Sequence, residues 1–440
     1  MERDIFEKLR QWKIDANRKP LLLQGARQIG KTWVMREFGR REFKYVAEFN
    51  VDEVKELKQV FARTKDPQRL IMDLSLYVSV PILPEETLII IDEIQESEDA
   101  LNVLKYFAEK VPEYVVIAAG SLLGVAVKKK QMTVPVGKVH VLKMYPLTFK
   151  EFLREADYST YKYIDELHTL DYLPEIILTR LIDQYRRYTI CGGMPEAVVA
   201  MLEGRGMRAV DDILDDILQL YQLDFSKYAT PVEVNRISAI WNSLPSQLSK
   251  ENRKFIYSVV RSGARAREYE DSLIWLEQAG LIHKVYNVST PKIPLKAYEE
   301  LSAFKIYALD CGLLRRLAHL APEVILGDND NYKEFKGALA ENMALLALLS
   351  QLKWNPNYWA SGNEAEVDFI VENEGNIIPI EIKSGSRISG RSLAEYRKKY
   401  QPNLLVRFSL NNLQYNDGLL SVPLPLADWL KKLFSFVKIK

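Results

Sequence analysis

The sequence predicts an α/β protein of several domains, led by a parallel sheet with helices on both faces. Three observations carry this prediction. Residues 1 to about 150 interleave short apolar runs rich in β-branched residues with helical stretches. The next stretch, to about residue 225, keeps a helical period alone. The last part of the chain, from about residue 330, returns to β-rich runs behind one long helix. A length of 440 residues, 50.8 kDa, is more than one small module needs and leaves ample chain for several cores.

Taken in order, the runs Pro20–Gln24, Lys44–Asn50, Thr87–Asp92, Tyr114–Ser121 and Val139–Met144 read as strands, with a helix over Trp33–Gly39. The stretch Ile213–Tyr221 places Ile213, Leu214, Ile217 and Leu218 on one helical face. From 232 to 290 helices precede a strand pair: Tyr269–Gly280 stops at a glycine, as a helix end does, and Leu281–Val288 follows as an extended run. That order predicts a small helix-turn-helix unit with a wing. A helix around Ala338–Leu352 then feeds the runs Asn357–Ala360, Glu366–Glu372 and Ile377–Ser384, a second α/β unit. No internal repeat or low-complexity linker interrupts the chain.

Composition narrows the function classes. Apolar residues at 48% and charged residues at 27% are globular proportions. Sixty basic against 59 acidic residues give a net charge of +1, so a nucleic-acid partner has to be met by a local patch. Two cysteines, Cys191 and Cys311, and four histidines show no zinc or disulfide spacing, which points to a reducing compartment. The N-terminal segment alternates charged and apolar residues, unlike a signal peptide. No apolar run approaches the roughly 18 residues of a membrane span, so a cytoplasmic location without membrane contact is expected.

Gly25-Ala26-Arg27-Gln28-Ile29-Gly30-Lys31-Thr32 matches G-x-x-x-x-G-K-[ST] between a strand and a helix, the setting that a phosphate-binding loop requires. A Cβ at Gly25 or Gly30 would obstruct a loop wrapped this tightly around a phosphate. The backbone N–H groups of the loop and the helix N-terminus supply the anion site. Lys31 is expected on the β- and γ-phosphates of ATP, with Thr32 presenting its hydroxyl to Mg²⁺. The run Thr87–Gln95 ends a buried strand in two acids, Asp92 for Mg²⁺ and Glu93 to polarise the attacking water, 60 residues beyond Thr32. Ser121 closes a further strand, where a small hydroxyl can sense the γ-phosphate. Lys138, Arg154, Arg186 and Arg187 are candidate arginine-finger cations, none of them marked out by its context.

These residues resemble the bacterial and archaeal ATPases of the AAA superfamily whose P-loop domain is fused to a C-terminal domain of unknown function. The resemblance covers nearly the whole chain. It rests on GARQIGKT, LIIIDEIQ, AAGSLLG, YPLTFKEF at 145–152, CGGMPEA at 191–197, KIYALDCGLL at 305–314, and EVDFIVE followed by IEIKSG. It departs from the family at Gly137-Lys138, where a Gly-Arg dipeptide is usual. The resemblance implies a lid element near the nucleotide base at Gly192, Gly193 and Pro195. Together with the helix-strand pattern it also implies a winged helix at about 232–290, whose Arg261, Arg265 and Arg267 would face DNA, diluted by Glu268, Glu270, Asp271 and Glu277. Members of this superfamily often complete their sites between subunits, so a homo-oligomer is expected.

In the C-terminal unit Asp368 lies near the end of one strand and Glu381 and Lys383 on the next. The 13-residue interval suits a hairpin, and the two-residue step puts Glu381 and Lys383 on one face. This arrangement resembles the PD-(D/E)XK nuclease core: Asp368 and Glu381 would hold Mg²⁺ or Mn²⁺, Lys383 would act on a water, and Glu341 on the preceding helix would complete the site. The expected domains are a P-loop ATPase core at 1–155, a helical lid at 156–230, a winged-helix segment at 231–328 and a nuclease-like domain at 329–440. Two readings of function follow. One is an ATP-hydrolysing switch coupled to a metal-dependent nuclease-like domain acting on nucleic acid. The other is an ATP-dependent signalling or scaffold protein whose C-terminal domain binds a partner without cutting it. A small-molecule kinase fits less well, because about 290 residues beyond the P-loop domain would lack a purpose.

Overall fold

The computed structural model describes residues 1–125, 132, 135, 137–250, 254–327, 332–362, 365–385 and 390–437. The chain divides into two compact units, one of residues 2–145 with 274–281, the other of residues 146–273 and 282–440 with Met1. The expected domain boundary at 328/329 lies outside the described residues.

The first unit is built on five strands, β1 (Leu21–Gln24), β2 (Tyr45–Asn50), β3 (Thr87–Asp92), β4 (Val115–Gly120) and β5 (His140–Lys143). All pairings are parallel, in the order β2-β3-β4-β1-β5. Strands β3 and β4 are buried at every position, which is why Leu88-Ile89-Ile90-Ile91 and Val115-Val116-Ile117 are unbroken apolar runs and do not alternate. One face packs Leu22, Ile89, Ile91, Val116 and Ala118 against Leu101, Leu104 and Phe107 of the helix Glu98–Lys110. Ser97 starts that helix by accepting a 3.2 Å bond from the Ala100 amide, satisfying one N–H that the first turn leaves open. The helix after β1 begins at Lys31 and runs to Glu42, so the phosphate-loop lysine is its first residue.

The second unit opens with helices Phe149–Ala156, Tyr158–Asp165, Glu175–Cys191, Pro195–Leu202, Met207–Tyr228 and Pro231–Leu248. Reciprocal bonds between Thr148 and Glu151, and between Thr230 and Glu233, start two of them. An eight-stranded mixed sheet follows: β6 (Ile282–Val288), β7 (Glu299–Ala308), β8 (Asn357–Ser361), β9 (Ala365–Asn373), β10 (Asn376–Ile382), β11 (Leu405–Ser409), β12 (Gln414–Asn416) and β13 (Leu419–Pro423). Its order is β12-β13-β11-β10-β9-β8-β6-β7. The expected hairpin is β9–β10, turned by Glu374 and Gly375, both at positive φ (48° and 78°), the conformation a two-residue hairpin loop demands. Trp359, Val367, Ile370 and Leu405 of the sheet pack against Leu393 and Tyr396 of the helix Arg391–Tyr400.

The order expected of a winged helix is present as Pro231–Leu248, Tyr257–Val260, Ala266–Gln278 and the antiparallel pair β6–β7. The strand pair is not a separate wing, however. β6 pairs in parallel with β8 through Asn287 and Tyr358, so it forms one end of the C-terminal sheet. Ile274–Leu281, the end of the third helix and its glycine stop, is grouped with the first unit.

Three of the sequence boxes meet in the second unit around Asp310, a fully buried carboxylate. Its Oδ2 accepts from the Gly193 amide at 2.6 Å and its Oδ1 from the Leu313 amide at 2.9 Å, while the Leu147 amide donates to the Gly193 carbonyl at 2.7 Å. Burial pushes the Asp310 carboxyl up to about 6, against the pull of the Gly193, Leu313 and Gly312 amides and of Arg315. The glycines follow from this packing. A Cβ on Gly192, at φ 66°, would drive into the Asp310 carboxylate, one on Gly193 into the Leu147 carbonyl, and one on Gly312 would lie 2.6 Å from the Cys191 carbonyl. Gly193→Ala should therefore cost this unit about 1–3 kcal/mol of overpacking. Gly385→Ala, with nothing within 4 Å of the added methyl, should change little. Urea denaturation of the two variants compares them directly.

Candidate functional site

The phosphate loop leaves the carboxyl end of β1 and is held by the first unit's own backbone. Gly25 packs so closely that a Cβ would lie 2.5 Å from both the Met144 carbonyl oxygen and Ile29 Cδ1. Its glycine is thus required by the neighbouring chain, a reason beyond the phosphate fit expected from sequence. Gln28 (φ 61°) and Gly30 (φ 90°) both take the left-handed conformation that curls the loop. Behind it, the buried Arg3 donates to the Ile29 carbonyl at 3.2 Å and to the Tyr145 carbonyl at 2.8 Å, fixing the loop to the segment after β5.

Lys31 donates to the carbonyls of Gly25 (2.9 Å) and Ala26 (2.6 Å). Burial lowers its pKa to about 8, offset in part by the charges of Glu93 and Asp92. Thr32 Oγ1 donates to Asp92 Oδ2 at 2.6 Å, and burial raises the Asp92 carboxyl. A hydroxyl and a carboxylate set side by side at the ends of the loop and of β3 fit the oxygen preference of Mg²⁺. When bound, the ion would neutralise charge on the phosphates.

Glu93 takes the left-handed conformation, φ 50°, and its amide donates to Asp92 Oδ1 at 2.9 Å. It accepts from Ser121 Oγ (2.9 Å to Oε2, 3.1 Å to Oε1) and from Gln95 Nε2. Ser121, almost fully buried, accepts in turn from Arg27 Nε at 3.3 Å. The sequence placed Ser121 at this edge as a γ-phosphate sensor; here its hydroxyl joins the loop arginine to the candidate base. Gln95 and Arg3 were not singled out from the sequence. Gln95 follows Glu93 by two residues, a legible cue, whereas Arg3 lies 22 residues before the loop and carries no motif.

Each finger candidate has a local partner. Lys138 pairs with Glu109 at 2.9 Å, Arg154 stacks on Tyr161, Arg186 faces Asp183 at 3.4 Å, and Arg187 donates to Gln184 at 3.1 Å.

In the second unit, β9 and β10 bring Asp368 and Glu381 onto paired strands. Asp368 Oδ2 accepts from the Ile382 amide at 2.7 Å. The Glu381 side chain is 2% exposed and lies between two cations, Lys383 Nζ at 3.2 Å from Oε1 and Arg407 Nε at 3.1 Å from Oε2. Arg407, from β11, had no place in the sequence reading and supplies a second positive charge to a carboxylate that seemed to have only Lys383. Glu341 accepts from the Tyr307 hydroxyl at 3.2 Å. Among the described residues no three or more His, Cys, Asp or Glu side chains converge as metal ligands. The expected set of Glu341, Asp368 and Glu381 does not form such a centre among the described residues.

The sequence profile of the AAA domain family matches residues 17–153, and two domains of unknown function, DUF8612 and DUF4143, match 182–324 and 336–427. None spans half of the chain. The first unit's parallel sheet and loop are those of an AAA-type P-loop ATPase domain. Solved structures similar to this chain include the Walker-type ATPase PABY2304 of Pyrococcus abyssi, 16% identical over 72% of this chain and 95% of that one, with a TM-score of 0.43. The Aeropyrum pernix ORC2 protein, in its ADPNP–ADP complexes, is 14% identical over 73% and 93%, with a TM-score of 0.37. The Aeropyrum pernix ORC1 protein, in complex with DNA, is 14% identical over 72% and 90%, with a TM-score of 0.29. No curated protein matches. Among the described residues no helix is long and apolar enough to cross a membrane.

Lys31 gives the loop a pH signature. Above a pKa of about 8 the free protein loses the lysine charge, so ATP affinity should fall toward tenfold per pH unit between pH 8 and 9. Calorimetry should show that fall in the wild type. Lys31→Ala should bind ATP weakly at every pH without it; unchanged ATP affinity in this variant would overturn the phosphate-loop assignment.

Proposed function

We propose that the chain is an ATP-hydrolysing switch whose nucleotide state governs the second unit. The reading is carried by Glu93, a carboxylate on the sheet edge beside the Thr32–Asp92 pair and held by Ser121 and Gln95. In this reading Lys31 and the amides of residues 25–32 bind the phosphates, Thr32 and Asp92 hold Mg²⁺, and Glu93 turns from Ser121 to polarise the attacking water. In this reading a second copy of the chain supplies a further cation to the site. Glu93→Gln should keep ATP binding and slow hydrolysis by about 10² or more. The same variant, trapped with ATP and Mg²⁺, should self-associate by light scattering. Wild-type turnover would place the base elsewhere, and a monomeric mass would remove the shared-site element.

Exposed Arg261, Arg265 and Arg267 support nucleic acid, DNA first, as the partner of the second unit. For the Asp368, Glu381 and Lys383 constellation, Arg407 favours binding without cleavage, because Glu381 already has two cations and needs no metal to offset its charge. Supercoiled DNA with Mn²⁺ should therefore remain unnicked, and Mn²⁺ should not raise the melting temperature through Asp368. Nicking abolished by Lys383→Ala, or a thermal shift abolished by Asp368→Ala, would restore the nuclease reading.

A further inference from the structure

Arg27, like Thr32, is a loop residue whose side chain is bonded into the catalytic edge. Its Nε donates to Ser121 Oγ at 3.3 Å, and that hydroxyl donates to Glu93 at 2.9 and 3.1 Å, so a cation on the phosphate loop and the candidate base share one serine proton relay. Ser121 is 1% exposed, so both bonds are made in a setting with little water to compete for them. Ser121 and Gln95 hold both oxygens of the Glu93 carboxylate and compete with a water for them. The Arg27 charge lies close enough to Lys31 to depress the lysine's basicity slightly.

We propose that Arg27 is a terminal-phosphate sensor: the γ-phosphate of ATP takes the place of Ser121 as its acceptor, and the loss of that bond releases Glu93. The physical basis is cooperative. A cation donating to a hydroxyl oxygen makes its proton a better donor, so Arg27 strengthens the Ser121–Glu93 bond, and withdrawing the cation weakens it. A γ-phosphate is a stronger acceptor for a guanidinium than a neutral hydroxyl, whereas ADP offers nothing at that position. The loop would thereby report which nucleotide it holds and keep Glu93 idle with ADP or none. Arg27 acts on the base through Ser121 and is a positioning residue for hydrolysis. The proposal rests on the phosphate-loop reading above.

The test is a double-mutant cycle on the full chain with Arg27→Gln, Ser121→Ala and the pair, measuring ATP and ADP affinities by calorimetry and single-turnover hydrolysis. Arg27→Gln should weaken ATP about tenfold, equivalent to about 1.4 kcal/mol, and leave ADP unchanged. In the cycle, Arg27 and Ser121 should be coupled in the hydrolysis rate by threefold or more and also in ATP affinity, because Ser121→Ala removes the acceptor that ATP has to displace only where Arg27 is present. Arg27→Lys, which keeps charge but not the forked geometry, should recover part of the ATP preference. Equal loss of ATP and ADP affinity, no loss of either, or additive effects on the rate would each overturn the sensor. Lys31→Ala separates the two levels of failure. If it abolishes nucleotide binding while Arg27→Gln behaves as wild type, only the sensor falls; if it binds ATP normally, the loop reading falls first. Melting temperatures of all variants exclude global unfolding.

Discussion

Strand β4 stands between β1 and β3, and the chemistry of the first unit follows from that placement. Parallel pairing sets Gln24 of β1 against Gly120 and Ile91 of β3 against Ala118, so three strands end together at one edge. The phosphate loop begins at the first, Ser121 follows the second, and Asp92 and Glu93 sit at the third. Without β4 the loop and the acids would lie on neighbouring strands and no serine would stand between Arg27 and Glu93. The same insertion leaves little room on the crossing side: a Cβ at Gly120 would meet Gln95 Oε1 at 2.6 Å. The polar chain therefore runs along a narrow path, and each member's neighbour is fixed by strand order.

Much of the first unit was legible because its sequence signals are local. Continuous apolar runs mark strands buried on both faces, and the loop motif carries its own strand and helix. What could not be read is which strand lies beside which. The 60-residue step from Thr32 to Asp92 takes in the rest of the helix Lys31–Glu42, β2 and two further helices, whereas the strand that separates the two sites in space, β4, comes after both in sequence. The role of Ser121 depends on that non-local fact. Arg3 was missed for a similar reason, since its two carbonyl partners are 26 and 142 residues away.

The second unit shows the other limit of sequence reasoning. The β9–β10 hairpin and the shared face of Glu381 and Lys383 are two-residue periodicities and appear as expected. Arg407 comes from β11, which joins β10 in parallel after the helix Arg391–Tyr400, and its arrival changes the charge balance around Glu381. A carboxylate pair on adjacent strands describes both a metal centre and a buried ion cluster until the third strand is placed. The wing pattern was incomplete in the same way. Two antiparallel strands after three helices look self-contained, yet an edge with free backbone groups pairs with whatever strand reaches it, here β8.

The glycine at 280 bears on how the protein can be dissected. At φ 73° it ends the helix Ala266–Gln278 and lies against the phosphate loop, its hypothetical Cβ only 3.5 Å from the Ala26 amide nitrogen; Gln278 likewise backs Gly124 at 3.2 Å. The ATPase fold thus borrows eight residues from well over a hundred positions downstream, Ile274–Leu281. A fragment cut at the end of its own sheet would keep the loop and acid motifs of residues 25–32 and 87–95 and still have solvent behind the phosphate loop. Weak nucleotide binding by such a fragment would be a property of the cut and would say nothing against the loop.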